Sequence, residues 1–131
     1  MISLKTLDDA SAQDVFNHIV NHLLVQKEKS VNSGGDCMYR GLNGLKCAAG
    51  CIIADDEYGP EMEYKTWYNL MDEGTFYIGN DEFVLTTEHS DLIHDLQTVH
   101  DRHEPDEWEE LLRSVGNSHG LEWQYDDEEK K

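Results

Sequence analysis

The sequence predicts a small single α+β domain, mostly helical, with four to five short helices and one or two short β-hairpins. Apolar residues repeat at three-and-four spacing in several stretches, the period of helices that bury one face. Between them, short apolar runs flank Asn43-Gly44 and Gly79-Asn80-Asp81, the chemistry of tight hairpin turns. The chain of 131 residues has the length of one domain. Residues 1–123 are expected to be globular and 124–131 to form a flexible acidic tail.

Residues 11–29 read as the first helix. Ser11 caps it, Asp14 sits near its positive end, and Ala12, Val15, Phe16, Ile19, Val20, Leu23 and Leu24 form one stripe. Ser33-Gly34-Gly35-Asp36 interrupts it, and residues 37–41 are extended in character. Two readings compete for residues 42–53. Asn43-Gly44 signals a hairpin, whereas the run from Lys46 to Ile53, with an Ala-Ala pair and no alternation, slightly favours a helix.

Residues 55–60 are a turn, and Pro60 starts a helix over 61–72 with Met62, Trp67, Leu70 and Met71 available to the core. A hairpin joins 75–78 to 82–85. Thr86 or Thr87 caps a helix over 88–103 that buries Leu92, Ile93, Leu96 and Val99. Pro105 opens the last helix, with Trp108, Leu111, Leu112 and Val115 inward and Gly116 or Gly120 as its stop.

The charge is lopsided. Up to residue 54 five acids meet five bases; from Asp55 onward 23 acids face 5 bases, so the whole net charge of −18 lies there. Such a field repels phosphate backbones and anionic lipids within a Debye length of about 8–10 Å, so direct nucleic-acid and membrane binding are not expected. A basic protein surface is the natural complement. The bland alternative is acids that serve solubility alone. No apolar run reaches the ~18 residues of a spanning helix, and the first ten residues lack a signal core, which predicts a cytoplasmic protein. Three cysteines fit reduced thiols better than a disulfide framework.

Several constellations could carry chemistry. Cys37, Cys47 and Cys51 lack the CxxC knuckle of most zinc sites, and buried thiols are the simpler reading. A helix starting at Lys46 would place Cys47 at its positive end as a nucleophile, with His94-Asp95 or His100-Asp101 as base and orienting acid. His18 and His22, one turn apart, fall away from the apolar stripe and read as solvated. His100 and His103 read as imidazolium groups favoured by a helix end.

The acids are more informative. Glu88, Asp91 and Asp95 share a helical face, and Asp106, Glu107, Glu109 and Glu110, beside Glu104, crowd the start of the next helix. Carboxylates spaced along helices can imitate the charges of a nucleic-acid backbone. These seven are the expected partner-binding residues. No catalytic residue, metal or cofactor is assigned. Tyr39, Arg40 and Lys46 admit two readings, a structural clamp in which a carboxylate holds Arg40, or a small pocket for an anionic ligand or nucleotide; the clamp is favoured.

The stretch Cys37-Met38-Tyr39-Arg40-Gly41, Gly44-Leu45-Lys46-Cys47-Ala48-Ala49-Gly50, Ile52-Ile53, Asp55 and Tyr58, with Leu96-Gln97 and His100-Asp101 downstream, resembles a pattern in small acidic bacteriophage and bacterial proteins. The resemblance implies a phage or bacterial cytoplasmic setting and transfers no activity. Together these readings predict a non-enzymatic inhibitor or binding protein. Its anionic rear half would engage a basic, nucleic-acid-binding host protein. A small-ligand binder and a Cys47 enzyme are the alternatives.

Overall fold

The computed structural model describes residues 2–63, 65–73, 75–78, 81–84 and 89–125. Helix α1 (Ala12–Gln26) forms as its sequence dictates: Ser11 Oγ accepts the Asp14 N–H at 3.1 Å, and Val15, Phe16, Ile19, Val20, Leu23 and Leu24 are buried. It stops short of residue 29 because Lys27 turns to a left-handed φ of 52° and its N–H closes on Leu23 O. Before it, a 3-10 turn over Leu4–Asp9 adds Leu4 and Leu7 to the core.

Helices α3 and α4 make the other half of the core. Helix α3 covers Ser90–Arg102, and α4 covers Trp108–Ser118 after a 3-10 turn at Pro105–Glu107. They run antiparallel: His100 stacks on Trp108 with ring centroids 5.5 Å apart, while Asp95 meets His119 at the opposite end of the pair. Both pack on α1. Trp108 is fully buried at the junction, its indole N–H donating to His103 O.

The expected helix over 61–72 is corrected. A single 3-10 turn at Pro60–Met62 is followed by a break, and α2 covers only Trp67–Glu73. The reason is Glu63, whose carboxylate turns inward to accept the N–H groups of Tyr39 and Arg40 and the hydroxyl of Tyr58. The expected helix from Lys46 is corrected too. Only a 3-10 turn forms, at Gly50–Ile52.

The Asn-Gly signal produces its turn but no ladder. Asn43 and Gly44 both take positive φ, 59° and 76°, and Leu45 N–H donates to Leu42 O, the geometry of a tight hairpin turn. One bridge, Arg40 to Lys46, closes it. Farther on, β1 (Thr75–Ile78) pairs antiparallel with β2 (Asp81–Val84), Thr75 opposite Val84 and Ile78 opposite Asp81. A two-stranded ribbon is too small to be a layer on which a domain packs. The α+β class is therefore corrected to a helical fold, whose core is made by α1, α3, α4 and the chain between α1 and α2. The turn at Gly79-Asn80 and residues 85–88, including the expected Thr86 and Thr87 caps, lie outside the described residues.

After α4 the chain crosses back over α1. Gln13 exchanges two bonds of 2.9 Å with the backbone of Glu122, Asn17 donates to Gln124 at 2.8 Å, and Trp123 sits edge-on to Phe16. The Tyr125 side chain packs on the core, and residues 126–131 of the expected tail lie outside the described residues. Among the described residues, no helix is long and apolar enough to cross a membrane.

Candidate functional site

The antiparallel arrangement of α3 and α4 sorts the expected partner-binding acids into two places. Asp106, Glu107, Glu109 and Glu110 stand at the start of α4, with Glu104 beside them. Asp91 and Asp95 lie toward the other end of the helical pair, each already engaged: Asp91 accepts the Tyr68 hydroxyl, and Asp95 pairs with His119 at 2.8 Å. The seven expected residues therefore do not fall in one place, and Glu88 lies outside the described residues.

At the start of α4, Glu107 accepts the Glu104 N–H as a helix cap, Glu104 lies 3.7 Å from Lys29, and Glu109 pairs with Arg113 along the helix at 3.6 Å. Asp106 and Glu110 are exposed and have no ion pair among the described residues. Asp106, Glu109 and Glu110 form one wall of a cleft of about 520 Å³, with Leu24, Lys27, Pro105 and Tyr125 completing it. Apolar and aromatic surface, three carboxylates and Lys27 thus line one cleft.

Tyr39, Arg40 and Lys46 do not converge on a ligand position. Arg40 donates to Asp55 and to Ile53 O, both at 2.6 Å, and lies over the Tyr58 ring at 5.0 Å. Tyr39 is buried and its hydroxyl donates to Lys65 O at 2.5 Å. Lys46 acts through its backbone, its carbonyl accepting from His22 Nε2 and Gln26 Nε2. These contacts are a clamp. Gly50 belongs to it, since a Cβ there would lie 2.2 Å from Tyr39 O.

The downstream Leu96-Gln97 and His100-Asp101 pairs hold the same loop to α3. Leu96 is fully buried. Gln97 accepts the Ala49 N–H at 2.8 Å and donates to Asp101 at 2.7 Å. His100, completely buried, accepts the Ser30 N–H on Nε2 at 2.9 Å, so the ring's one proton sits on Nδ1 and is donated to Asp101 at 2.8 Å. The expected imidazolium at a helix end is corrected to a neutral ring that links the Ser30 backbone to Asp101. His18 and His22 are corrected likewise: neither is simply solvated, for their Nε2 atoms bond Cys51 O and Lys46 O. Burial lowers the His22 pKa, against the opposing hydrogen bond to Lys46 O.

Cys37, His100 and Asp101 bring ligand-type atoms within 4.8 Å of one another. The tautomer argues against a metal there. An ion on Nδ1 would leave Nε2 still accepting from Ser30, which requires an imidazolate. The thiols are also held in their neutral form. Burial, aided by Asp101, pushes Cys37 up to about 11, and burial pushes Cys47 up to about 12. Cys47 Sγ receives the Gly50 N–H, and Cys51 donates to Ala48 O. The expected dipole-activated Cys47 is corrected, because no helix begins there and the sulfur is buried.

Sequence reasoning missed the buried carboxylates. Glu57 accepts the N–H groups of Leu4, Lys5 and Ala54, each at 2.8 Å, and Glu63 accepts its three donors at 2.6–3.1 Å. Both belong to the anionic rear half by sequence, yet neither contributes to its surface. No local pattern marks them, since most of their donors lie far away in the chain. Comparison with protein families, with curated proteins and with solved structures finds no match to this chain.

Proposed function

We propose that this protein is a non-enzymatic binding protein that docks the acidic start of α4 against a basic protein surface. In the phage or bacterial setting that the sequence resemblance implies, the partner is the nucleic-acid-binding face of a host protein, and the carboxylates stand in for phosphates. The observation that carries this reading is the Glu104–Glu110 corner: five acids in seven residues, fixed by buried Trp108, with three of them walling a cleft. Charges held on a rigid support need no ordering on association, which favours them over charges on a tail.

Immobilised protein, incubated with a bacterial lysate at low salt, tests the reading. Wild type is expected to retain a basic protein that double-stranded DNA displaces. The Asp106→Lys, Glu110→Lys double variant is expected to retain about tenfold less or lower. These two residues are chosen because neither caps a helix nor holds an ion pair among the described residues. Equal retention by both proteins, or retention that DNA leaves unchanged, contradicts the proposal.

A further inference from the structure

The loop that follows α1 is gathered on Ser30, and Ser30 is held to α3 by a titratable ring. Ser30 is completely buried. Its hydroxyl lies 2.7 Å from Met38 O and 3.1 Å from Leu45 O, and its carbonyl accepts the Met38 N–H. Val31, the next residue, bridges to Cys37 and accepts the Leu42 N–H. The Ser30 N–H donates to His100 Nε2, and among the described residues it has no second acceptor.

His100 is completely buried and stacked on Trp108. A half-turn of its ring about the Cβ–Cγ bond would put a carbon where each nitrogen stands, losing Ser30 and Asp101 together. Neutral, with its proton on Nδ1, the ring satisfies both neighbours. A proton on Nε2 turns that atom into a donor facing the Ser30 N–H, which is left buried without an acceptor. At Asp101 the effect is opposite, since the bond from Nδ1–H becomes charge-assisted and strengthens. One proton thus breaks one contact and reinforces the other.

We infer that His100 is a pH-sensitive latch: neutral, it holds Ser30 and the 30–46 loop against α3; protonated, it keeps Asp101 and releases Ser30. The docked loop needs an unprotonated Nε2, so proton uptake and release go together as pH falls. The neighbours of the ring set how readily this happens. Asp101 of α3 favours the cation, and His22 of α1 opposes it, because two charged rings repel. Cys37 of the loop, within 4.8 Å of the ring nitrogen and of Asp101, stays a neutral thiol, burial pushing it up to about 11. Lys29, beside Ser30 in the chain, is paired with Glu104 at 3.7 Å, and α4 presents the Trp108 ring. Gln97, which holds the Ala49 N–H, does not titrate, so this second attachment to α3 persists.

The test is nuclear magnetic resonance of the full chain from about pH 8 to about pH 5, following the His100 ring nitrogens and the Ser30 amide, with the Ala49 amide as control. The His100 ring and the Ser30 amide are expected to share one midpoint. Ser30 hydrogen exchange, corrected for the direct effect of pH, is expected to be about tenfold or more faster on the acid side, with Ala49 unaltered. Asp101→Asn removes the carboxylate that favours the cation and is expected to move the midpoint to lower pH. His100→Gln, whose amide oxygen can accept from Ser30 without titrating, is expected to keep Ser30 protected throughout. A Ser30 amide that stays protected while His100 titrates would overturn the inference. So would a ring that stays neutral until the whole chain unfolds, a midpoint unmoved or raised by Asp101→Asn, or acid sensitivity of Ser30 that survives in His100→Gln.

Discussion

Glu63 shows how one residue can be read wrongly from composition and still decide a stretch of structure. A carboxylate out of water is tolerated when donors replace its hydration, and this one has three. Glu63→Ala removes the acceptor and leaves the Tyr39 and Arg40 N–H groups and the Tyr58 hydroxyl to find water. The expected loss is about 3 kcal/mol or more in urea unfolding, against well under 1 kcal/mol for the exposed Glu110→Ala. Similar losses for the two variants would contradict the staple. The cysteines allow a second residue-scale check. With Cys37 near 11 and Cys47 near 12, thiolate at neutral pH is about a hundredfold or more below that of an ordinary thiol. A disulfide reagent is therefore expected to label the folded chain very slowly and all three thiols promptly after unfolding; prompt labelling of Cys47 in the folded chain would restore a nucleophilic reading.

At the scale of elements, the legible part of the sequence is the part encoded locally. Helices α1, α3 and α4 follow from a buried stripe that repeats within the segment itself, aided at α1 by the Ser11 cap and before α4 by the Glu104–Glu107 capping box. The Asn43-Gly44 turn follows from two residues that accept positive φ. The chain between α1 and α2 is not legible, because it is fixed by bonds from distant side chains: Ser30 to His100, Ala49 to Gln97, Tyr39 to Glu63. Its small residues suggest a helix, yet Gly50 is there for proximity to Tyr39 and not for propensity. Two glycine variants separate these causes. Gly50→Ala forces a methyl against the Tyr39 carbonyl and is expected to cost about 3 kcal/mol. Gly44→Ala has open space around it and bears only the strain of a positive φ, about 1 kcal/mol. Equal costs measured by thermal or urea unfolding would mean that the loop can move away from Tyr39.

For the molecule as a whole, a single net charge conceals acids with different employments. Glu57 and Glu63 are internal, Asp55, Asp91 and Asp95 are each tied to a side chain, and Asp106 and Glu110 stand in solvent at one corner. The imbalance in charge is plain from the sequence. Its division is not, because which end of α3 meets which end of α4 depends on the tertiary fold. The proposed anionic surface consequently narrows from the rear half of the chain to the Glu104–Glu110 corner. The most direct measurement of that claim is the affinity for a captured basic partner as ionic strength rises from about 0.05 M to about 0.5 M, for wild type and the Asp106→Lys, Glu110→Lys variant. Steep loss of wild-type affinity with salt, and a weaker, shallower dependence in the variant, is the predicted result; affinity that ignores both salt and the two reversals would contradict it.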